Sequence, residues 1–379
     1  MTNKISVLYC FWKNKEVCTM EAYKAALLPD AYGSLDYSYF MDELIDATAA
    51  LEVYVEKINF SKVDSNWILP IIQNKEALAS SLLEGTQATL DGVLINQVSP
   101  NTEDKNLNEI VNYLKASSIG YQRLKRGDFD NELFLEMHRV LLSGGVRKNT
   151  DTIGEYRTTQ NYIGKNDGEL VYTPPKPEKV PALMNNLIAY INSDDIKTRP
   201  LIRIAIIHAQ LETIHPFGDG NGRVGRILIP LYLYAKGQIP MPYFFISEAL
   251  EREKHKYYKL LMDIRTSNRW NEWIKFFLET VAKQCRKYIR IFNQINDLYD
   301  KTVRQTCNLI NSPNAVRIVD AMFKYPIFDS KIMQEETGIS STTINRYLNI
   351  LLKNNVLYTD GKQRNRLFFF YDLVALIRE

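Results

Sequence analysis

His215-Pro-Phe-Gly-Asp-Gly-Asn-Gly-Arg-Val-Gly-Arg226 gathers a histidine, an acid, four closely spaced glycines and two arginines within twelve residues. That is equipment for handling a nucleotide. Gly220, Asn221 and Gly222 let backbone N–H groups curl around an anion, and a helix starting near Arg223 aims the positive end of its dipole at the same spot. Asp219 can hold a hard cation through oxygen, and Arg223 and Arg226 can fork onto phosphates. His215 can accept a proton near neutral pH.

Gly220-Asn-Gly-Arg-Val-Gly225 also satisfies G-x-G-x-x-G, the dinucleotide-binding pattern, which needs a preceding strand and a ribose-binding acid about 20 residues on. The preceding segment, 199–213, instead spaces Leu201, Ile204, Ala205, His208, Leu211 and Glu212 at helical intervals. Residues 240–246, Pro-Met-Pro-Tyr-Phe-Phe-Ile, contain no acid. The dinucleotide reading is set aside on both counts.

The twelve residues resemble the signature of the Fic family, H-P-F-x-[D/E]-G-N-G-R-x-x-R, at every defined position. The resemblance covers roughly residues 105–280. It implies transfer of AMP from ATP to a hydroxyl of a target protein, with release of pyrophosphate. It makes His215 the general base, Asn221 and Arg223 further catalytic groups, and Asp219 the Mg²⁺ ligand. The nucleotide would lie against Gly220, Asn221, Gly222, Arg223, Val224, Gly225 and Arg226. The family's adenine-contacting tyrosine falls on Tyr258, with Tyr257 as the alternative. Gly222 stands where the Doc branch, which phosphorylates, has a lysine, and so favours AMP transfer. His138, His208 and His255 read as satisfied polar residues, and Gln210 and Glu212 as structural.

Residues 158–173 read as two short strands around an Asn-Asp-Gly turn. Flanked by Gly154-Glu-Tyr-Arg157 and Thr173-Pro-Pro175, they look like the family's flap, which pairs with an extended target segment by adding a strand. The implied partner is a protein with a serine, threonine or tyrosine hydroxyl. Self-modification and a homodimer stay open. Ser80-Ser-Leu-Leu-Glu84-Gly85 resembles the family's inhibitory motif. Ser80 and Glu84, four apart, share a helix face. The resemblance implies that Glu84 holds Arg226 in a buried bidentate pair where the γ-phosphate would sit, and in some relatives the same glutamate activates water to remove AMP.

The expected fold is mainly α: a Fic-type helical core with a β-hairpin flap, plus a C-terminal winged helix-turn-helix. The boundaries fall at 1–106 for an N-terminal helical region with the inhibitory helix, 107–295 for the catalytic domain and 300–379 for the winged helix. Helices are expected over 41–55 and 71–89, the latter ending before Asp91-Gly92, and a polar linker over 98–106. In the last unit Thr337-Gly-Ile-Ser340 supplies the turn, and Ile344, Leu348 and Leu351 an apolar face. Ser341, Thr342, Asn345, Arg346, Lys362, Arg364 and Arg366 are its candidates for DNA. From Asp300 on there are 11 basic and 8 acidic residues, thin for phosphate neutralisation, so DNA and protein contact stand level.

The 379 residues carry 47 basic and 44 acidic side chains, a net charge of +3 that gives no global affinity for nucleic acid or membranes. Cys10, Cys18, Cys285 and Cys307 have no metal or disulfide spacing, which fits a reducing cytoplasm. No stretch approaches the ~18 apolar residues of a membrane span.

Overall fold

The computed structural model describes residues 21–146, 152–165, 170–362 and 364–379, and the backbone of residues 5–7. Cys10, Cys18 and the Asn-Asp-Gly turn lie outside the described residues. The fold is mainly helical, with two small antiparallel sheets.

The chain divides into two compact units. The first comprises residues 1–51, 79–87 and 108–284, the second 52–78, 88–107 and 285–379. Helices α1 (Met41–Asn59), α2 (Ser65–Leu83) and α11 (Trp270–Ile310) contribute residues to both. The helix expected to run to residue 89 ends earlier, and a second one begins just beyond it. Helix α2 stops at Leu83, and Thr89 caps α3 (Leu90–Val98) by accepting the Gly92 N–H at 3.1 Å. Asp91-Gly92 therefore lies in the first turn of a helix, because a threonine hydroxyl in front of it satisfies an otherwise orphaned donor.

The first unit is built around α7 (Pro200–Ile214) and α8 (Asn221–Ala235). Every α7 residue from Leu201 to Ile214 is buried, as expected of a helix enclosed on all sides. Pro200 starts it, since its missing N–H costs nothing there. The two helices pack closely at Gly225, where a Cβ would lie 2.8 Å from Glu212 Oε1 and 3.3 Å from the His208 ring. The N-terminal part of α11 completes this core through Trp273, fully buried, whose indole N–H donates to Ala205 O at 2.9 Å. Around it stand α4 (Lys105–Leu124), α5 (Asn131–Leu141), α6 (Val180–Asn192), α9 (Ser247–Arg252) and α10 (Lys254–Ser267).

Strands β2 (Ile163–Lys165) and β3 (Leu170–Tyr172) form the expected hairpin. Its register shifts between Ile163, opposite Tyr172, and Gly164, opposite Leu170. The irregularity lets the successive residues Val171 and Tyr172 both line one cavity, which strict alternation would forbid. Strand β1 (Ile5–Val7), in the region expected to be helical, pairs antiparallel with β2, so the order is β1-β2-β3.

In the second unit α12 (Asn314–Lys324), β4 (Ile327–Asp329), α13 (Ser330–Thr337), α14 (Ser341–Lys353), β5 (Tyr358–Thr359), β6 (Leu367–Phe369) and α15 (Tyr371–Arg378) follow in order. The sheet runs β4-β6-β5. Gly338, at φ 66°, makes the turn between α13 and α14. Ile344, Leu348 and Leu351 are buried, while Ser341, Thr342, Asn345, Arg346, Lys362 and Arg364 are exposed and Arg366 is half-buried.

Candidate active site

Helix α7 ends at His215, whose backbone is left-handed at φ 50°. A non-glycine residue there costs about 1–3 kcal/mol and persists only where its surroundings hold it. Arg157 supplies much of that hold. Its Nε donates to His215 O at 2.8 Å, its backbone N–H to Pro216 O at 2.9 Å, and its guanidinium reaches Thr159 O and Pro175 O as well. One buried cation thus ties the loop at His215 and Pro216 to both roots of the hairpin.

The loop is closed from inside. Asn221 accepts the Phe217 N–H at 2.8 Å and donates to Phe217 O at 2.9 Å, so its side chain braces the turn. Asn161 also donates to Phe217 O, at 2.8 Å. The Phe217 ring is fully buried and stacks on His138, centroids 3.9 Å apart and planes 8° from parallel. His138 Nδ1 accepts the Gly154 N–H at 3.0 Å, so the ring proton sits on Nε2 and is donated to Asp219 O at 3.1 Å. His138 is a satisfied histidine, as read, but what it satisfies is the candidate metal loop.

Of the candidate residues, Glu84, His215, Gly222, Arg226, Tyr257 and Tyr258 line one cavity together with Ile163, Val171, Tyr172, Glu212, Leu261, Met262 and Arg265, whereas Asp219, Gly220, Asn221, Arg223, Val224 and Gly225 are not part of its lining. Both imidazole nitrogens of His215 are buried without a hydrogen-bond partner among the described residues. Burial, aided by the charges of Arg265 and Arg157, lowers its pKa to about 3. It is therefore neutral at physiological pH. Arg223 is fully buried, and its Nε and one Nη likewise lack hydrogen-bond partners. Its nearest carboxylates are Asp219 at 3.5 Å and Glu109 at 3.7 Å. Unpaired donors on a buried cation beside an amide-rich loop suit an anion. Asp219 also accepts the Gly220 N–H at 2.6 Å. Gly220, at φ 80°, caps α8 and turns its first N–H groups toward the loop. Val224 is buried in the α8 core.

Arg226 is held differently. Its Nε donates to Ser80 Oγ at 2.8 Å, and one Nη to Ser80 O at 3.0 Å and Glu84 Oε1 at 2.6 Å. The expected bidentate carboxylate pair is therefore corrected to one carboxylate oxygen plus two oxygens of Ser80. The reason lies in the helix end: Glu84 stands just beyond α2, and Gly85 at φ 92° turns the chain away. Burial works against the charge of Glu84, but Arg226 and Arg223 outweigh it and hold the carboxyl below its usual range. Burial likewise opposes the Arg226 charge, and Glu84 reverses the sign, leaving its pKa raised.

Tyr257 and Tyr258 both reach the cavity wall. Tyr257 is fully buried and donates its hydroxyl to His208 Nε2 at 2.9 Å, while His208 Nδ1–H donates to Gly225 O at 3.2 Å. Gln210 donates to Ala26 O at 2.8 Å, a structural role as read. Glu212, also read as structural, lines the cavity with Oε1 lacking a partner among the described residues, and burial raises its pKa to about 7. Arg265 escaped the sequence reading. Its guanidinium lies 3.9 Å from the centre of the Tyr172 ring and donates to Glu212 O at 3.0 Å. Only its helical position near the tyrosines could have pointed to it.

Comparison with known proteins meets this geometry. The profile of the Fic/DOC family matches residues 128–233, and that of the Fic/DOC family N-terminal region residues 41–122. The chain carries a Fic domain. Over 110 residues, 28% of this chain and 20% of the relative, it is 37% identical to protein adenylyltransferase fic-1 of Caenorhabditis elegans. Over 272 residues, 70% of this chain and 48% of the relative, it is 26% identical to protein adenylyltransferase Fic of Aedes aegypti. The chain thus spans about half or less of the length of these curated relatives. A Fic family protein of Desulfovibrio desulfuricans superposes with a TM-score of 0.59 at 19% identity, over 89% of this chain and 97% of that one. Fic-1 of C. elegans superposes with a TM-score of 0.53 at 22% identity, over 68% of this chain and 74% of that one. These likenesses establish the Fic fold. Among the described residues no helix is long and apolar enough to cross a membrane.

Proposed function

We propose that this chain transfers AMP from ATP to a hydroxyl side chain of a protein, and that Glu84 restrains the reaction. The observation that carries the reading is a neutral His215 with both ring nitrogens unengaged among the described residues, on the same loop-to-helix segment as the unpaired donors of Arg223, while Arg226, which lines one cavity with His215, is held by Ser80 and Glu84. The acceptor hydroxyl gives its proton to His215 as its oxygen bonds to the α-phosphorus. The bond from phosphorus to the bridging oxygen breaks, and pyrophosphate leaves with that electron pair. Arg223 and the N–H groups at the start of α8 hold the phosphate oxygens as charge shifts toward the leaving group. Asp219, the only acid of the loop, would hold a hard divalent cation through its carboxylate. Mg²⁺ bound there would supply charge neutralisation. Tyr257 and Tyr258, with Leu261 and Met262, offer an apolar wall suited to a nucleobase.

Arg226 is the natural partner of the γ-phosphate, and Glu84 denies it that role. ATP entering beside the glutamate meets a carboxylate in place of a free guanidinium. The curated relatives bear the name protein adenylyltransferase, which fits this chemistry. A carboxylate so near the site also suits water activation, so removal of AMP belongs to the same proposal. For the second unit we infer a winged helix that docks DNA or protein through the exposed face of α14, on the strength of its helix-turn-helix order and exposed polar residues. A cytoplasmic setting accords with the cysteine spacing.

The test is parallel incubation with α-labelled and γ-labelled ATP. Label from α-ATP on the chain or on lysate proteins, reduced roughly 10²- to 10⁴-fold by His215→Ala, is expected. Label from γ-ATP alone would make the chain a kinase, and equal labelling by His215→Ala would remove the histidine from the mechanism.

A further inference from the structure

A two-stranded hairpin is marginal by itself, and its outer strand leaves a row of N–H and C=O groups facing away. In this chain that row is covered. Ile5 pairs with Lys165, Ser6 with Gly164 and Val7 with Ile163, antiparallel. The covering segment suits a strand, with β-branched residues on either side of a serine. Downstream the same N-terminal stretch is tied back to the domain at several points. Tyr23 N–H donates to Thr173 O at 2.9 Å, just beyond β3, and its ring lies 5.9 Å from that of Tyr172. Leu28 exchanges two hydrogen bonds with the Asn186 side chain, at 2.8 and 3.0 Å. The hairpin is thus contacted by this stretch on the β2 side through β1 and at the end of β3 through Tyr23.

We propose that residues 5–7 are the resident occupant of the outer edge of β2, and that an extended segment of a partner protein docks on the hairpin by displacing them. The proposal rests on the reading of the hairpin as the target-docking flap. Val7 and Tyr23 are sixteen residues apart in sequence, so the pairing of β1 with β2 is made within one chain and needs no second molecule. Among the described residues the ladder comprises three residue pairs, and β1 yields to a partner whose main chain makes a longer one. The edge selects for extended backbone, because main-chain pairing places few demands on side chains.

Successive N–H groups of an antiparallel strand point alternately toward and away from the neighbour, so a proline at Ser6 or prolines at both Ile5 and Val7 must remove bonded donors in one case or the other. Full-length wild type, Ser6→Pro and the double variant Ile5→Pro/Val7→Pro are compared by amide hydrogen exchange at residues 163–165. At least one variant should exchange there roughly tenfold faster, with an unchanged melting temperature. A synthetic peptide of residues 2–9 at millimolar concentration should restore slow exchange in that variant and leave wild type unaltered. Exchange as slow as wild type in both variants overturns the proposal. So does fast exchange that the peptide cannot slow, since the edge would then accept no separate chain. No nucleotide enters the assay, so its outcome is independent of whether the chain transfers AMP.

Discussion

A Cβ on Gly222 would collide with Glu84 Oε1 and lie 2.8 Å from an Arg226 Nη. The glycine in the first turn of α8 therefore also leaves the space into which the Glu84 carboxylate reaches. Gly222→Ala should destabilise the otherwise wild-type chain and cost less in a Glu84→Gly background, because the clashing carboxylate is then gone and the Arg226 guanidinium is freer to move aside. A coupling energy of about 0.5–3 kcal/mol is expected from the thermal or urea double-mutant cycle. Additive effects would mean that Glu84 does not occupy that space in solution.

Glu84→Gly should raise the rate of α-label transfer well above wild type. Stripping one partner from a buried pair costs roughly 3–5 kcal/mol, and the lower end is expected here, because Ser80 still accepts two hydrogen bonds from Arg226. The apo melting temperature should fall, and saturating Mg-ATP should recover part of the loss. Arg226→Ala in the same background should cancel the activation. Equal labelling and equal melting of Glu84→Gly and wild type would reduce Ser80 to Gly85 to an ordinary helix end.

Acid sensitivity follows from the histidines. Burial first, with smaller charge effects, lowers His208 and His215 to about 3 and His138 to about 4. All three are neutral in the fold, while the unfolded chain binds their protons below about 6.5. Their contribution is full above pH 6.5 and is lost as pH falls toward 3–4. Glu212 has the opposite sign. Its pKa is raised to about 7 by burial, so its contribution is full below the ordinary carboxylate pKa and lost as pH rises through 7. Glu212→Gln should thus raise the melting temperature at pH 8 by roughly 2–6 °C and leave it unchanged near pH 4. A gain that is the same at both pH values would mean that Glu212 titrates normally.

For the second unit, mobility shifts of the full chain with DNA fragments at low salt provide the measurement. If α14 and the loop before β6 meet phosphates, Arg346→Ala or Arg364→Ala should each flatten the salt dependence of log K by about one unit. Absence of any shift by the full chain would leave protein as the partner of this face.

The loop from His215 to Arg226 was legible because its chemistry is contiguous: each side chain announces a role and the glycines announce the turn. Helix α7 was legible because its apolar positions recur at helical spacing. What escaped were the braces. Arg157, His138 and Asn161 act on backbone carbonyls 56 to 81 positions away, and a carbonyl leaves no mark in a sequence. The pairing of β1 with β2 was invisible for the same reason, because main-chain pairing asks little of side chains. The end of α2 was misjudged because Thr89 looks like one more helical residue until its hydroxyl is seen capping α3.

Arg157 binds the carbonyls of His215 and Pro216 on one side and those of Thr159 and Pro175 on the other. The base and the two roots of the flap are thereby fastened to a single side chain. On the proposed function, an incoming strand is then measured by a ruler. An extended chain advances about 3.3 Å per residue, so the hydroxyl that reacts is chosen by how many residues separate it from the paired segment. Acceptor choice becomes a matter of counting along a backbone, and moving a serine by two positions in a target would change its fate more than exchanging it for threonine.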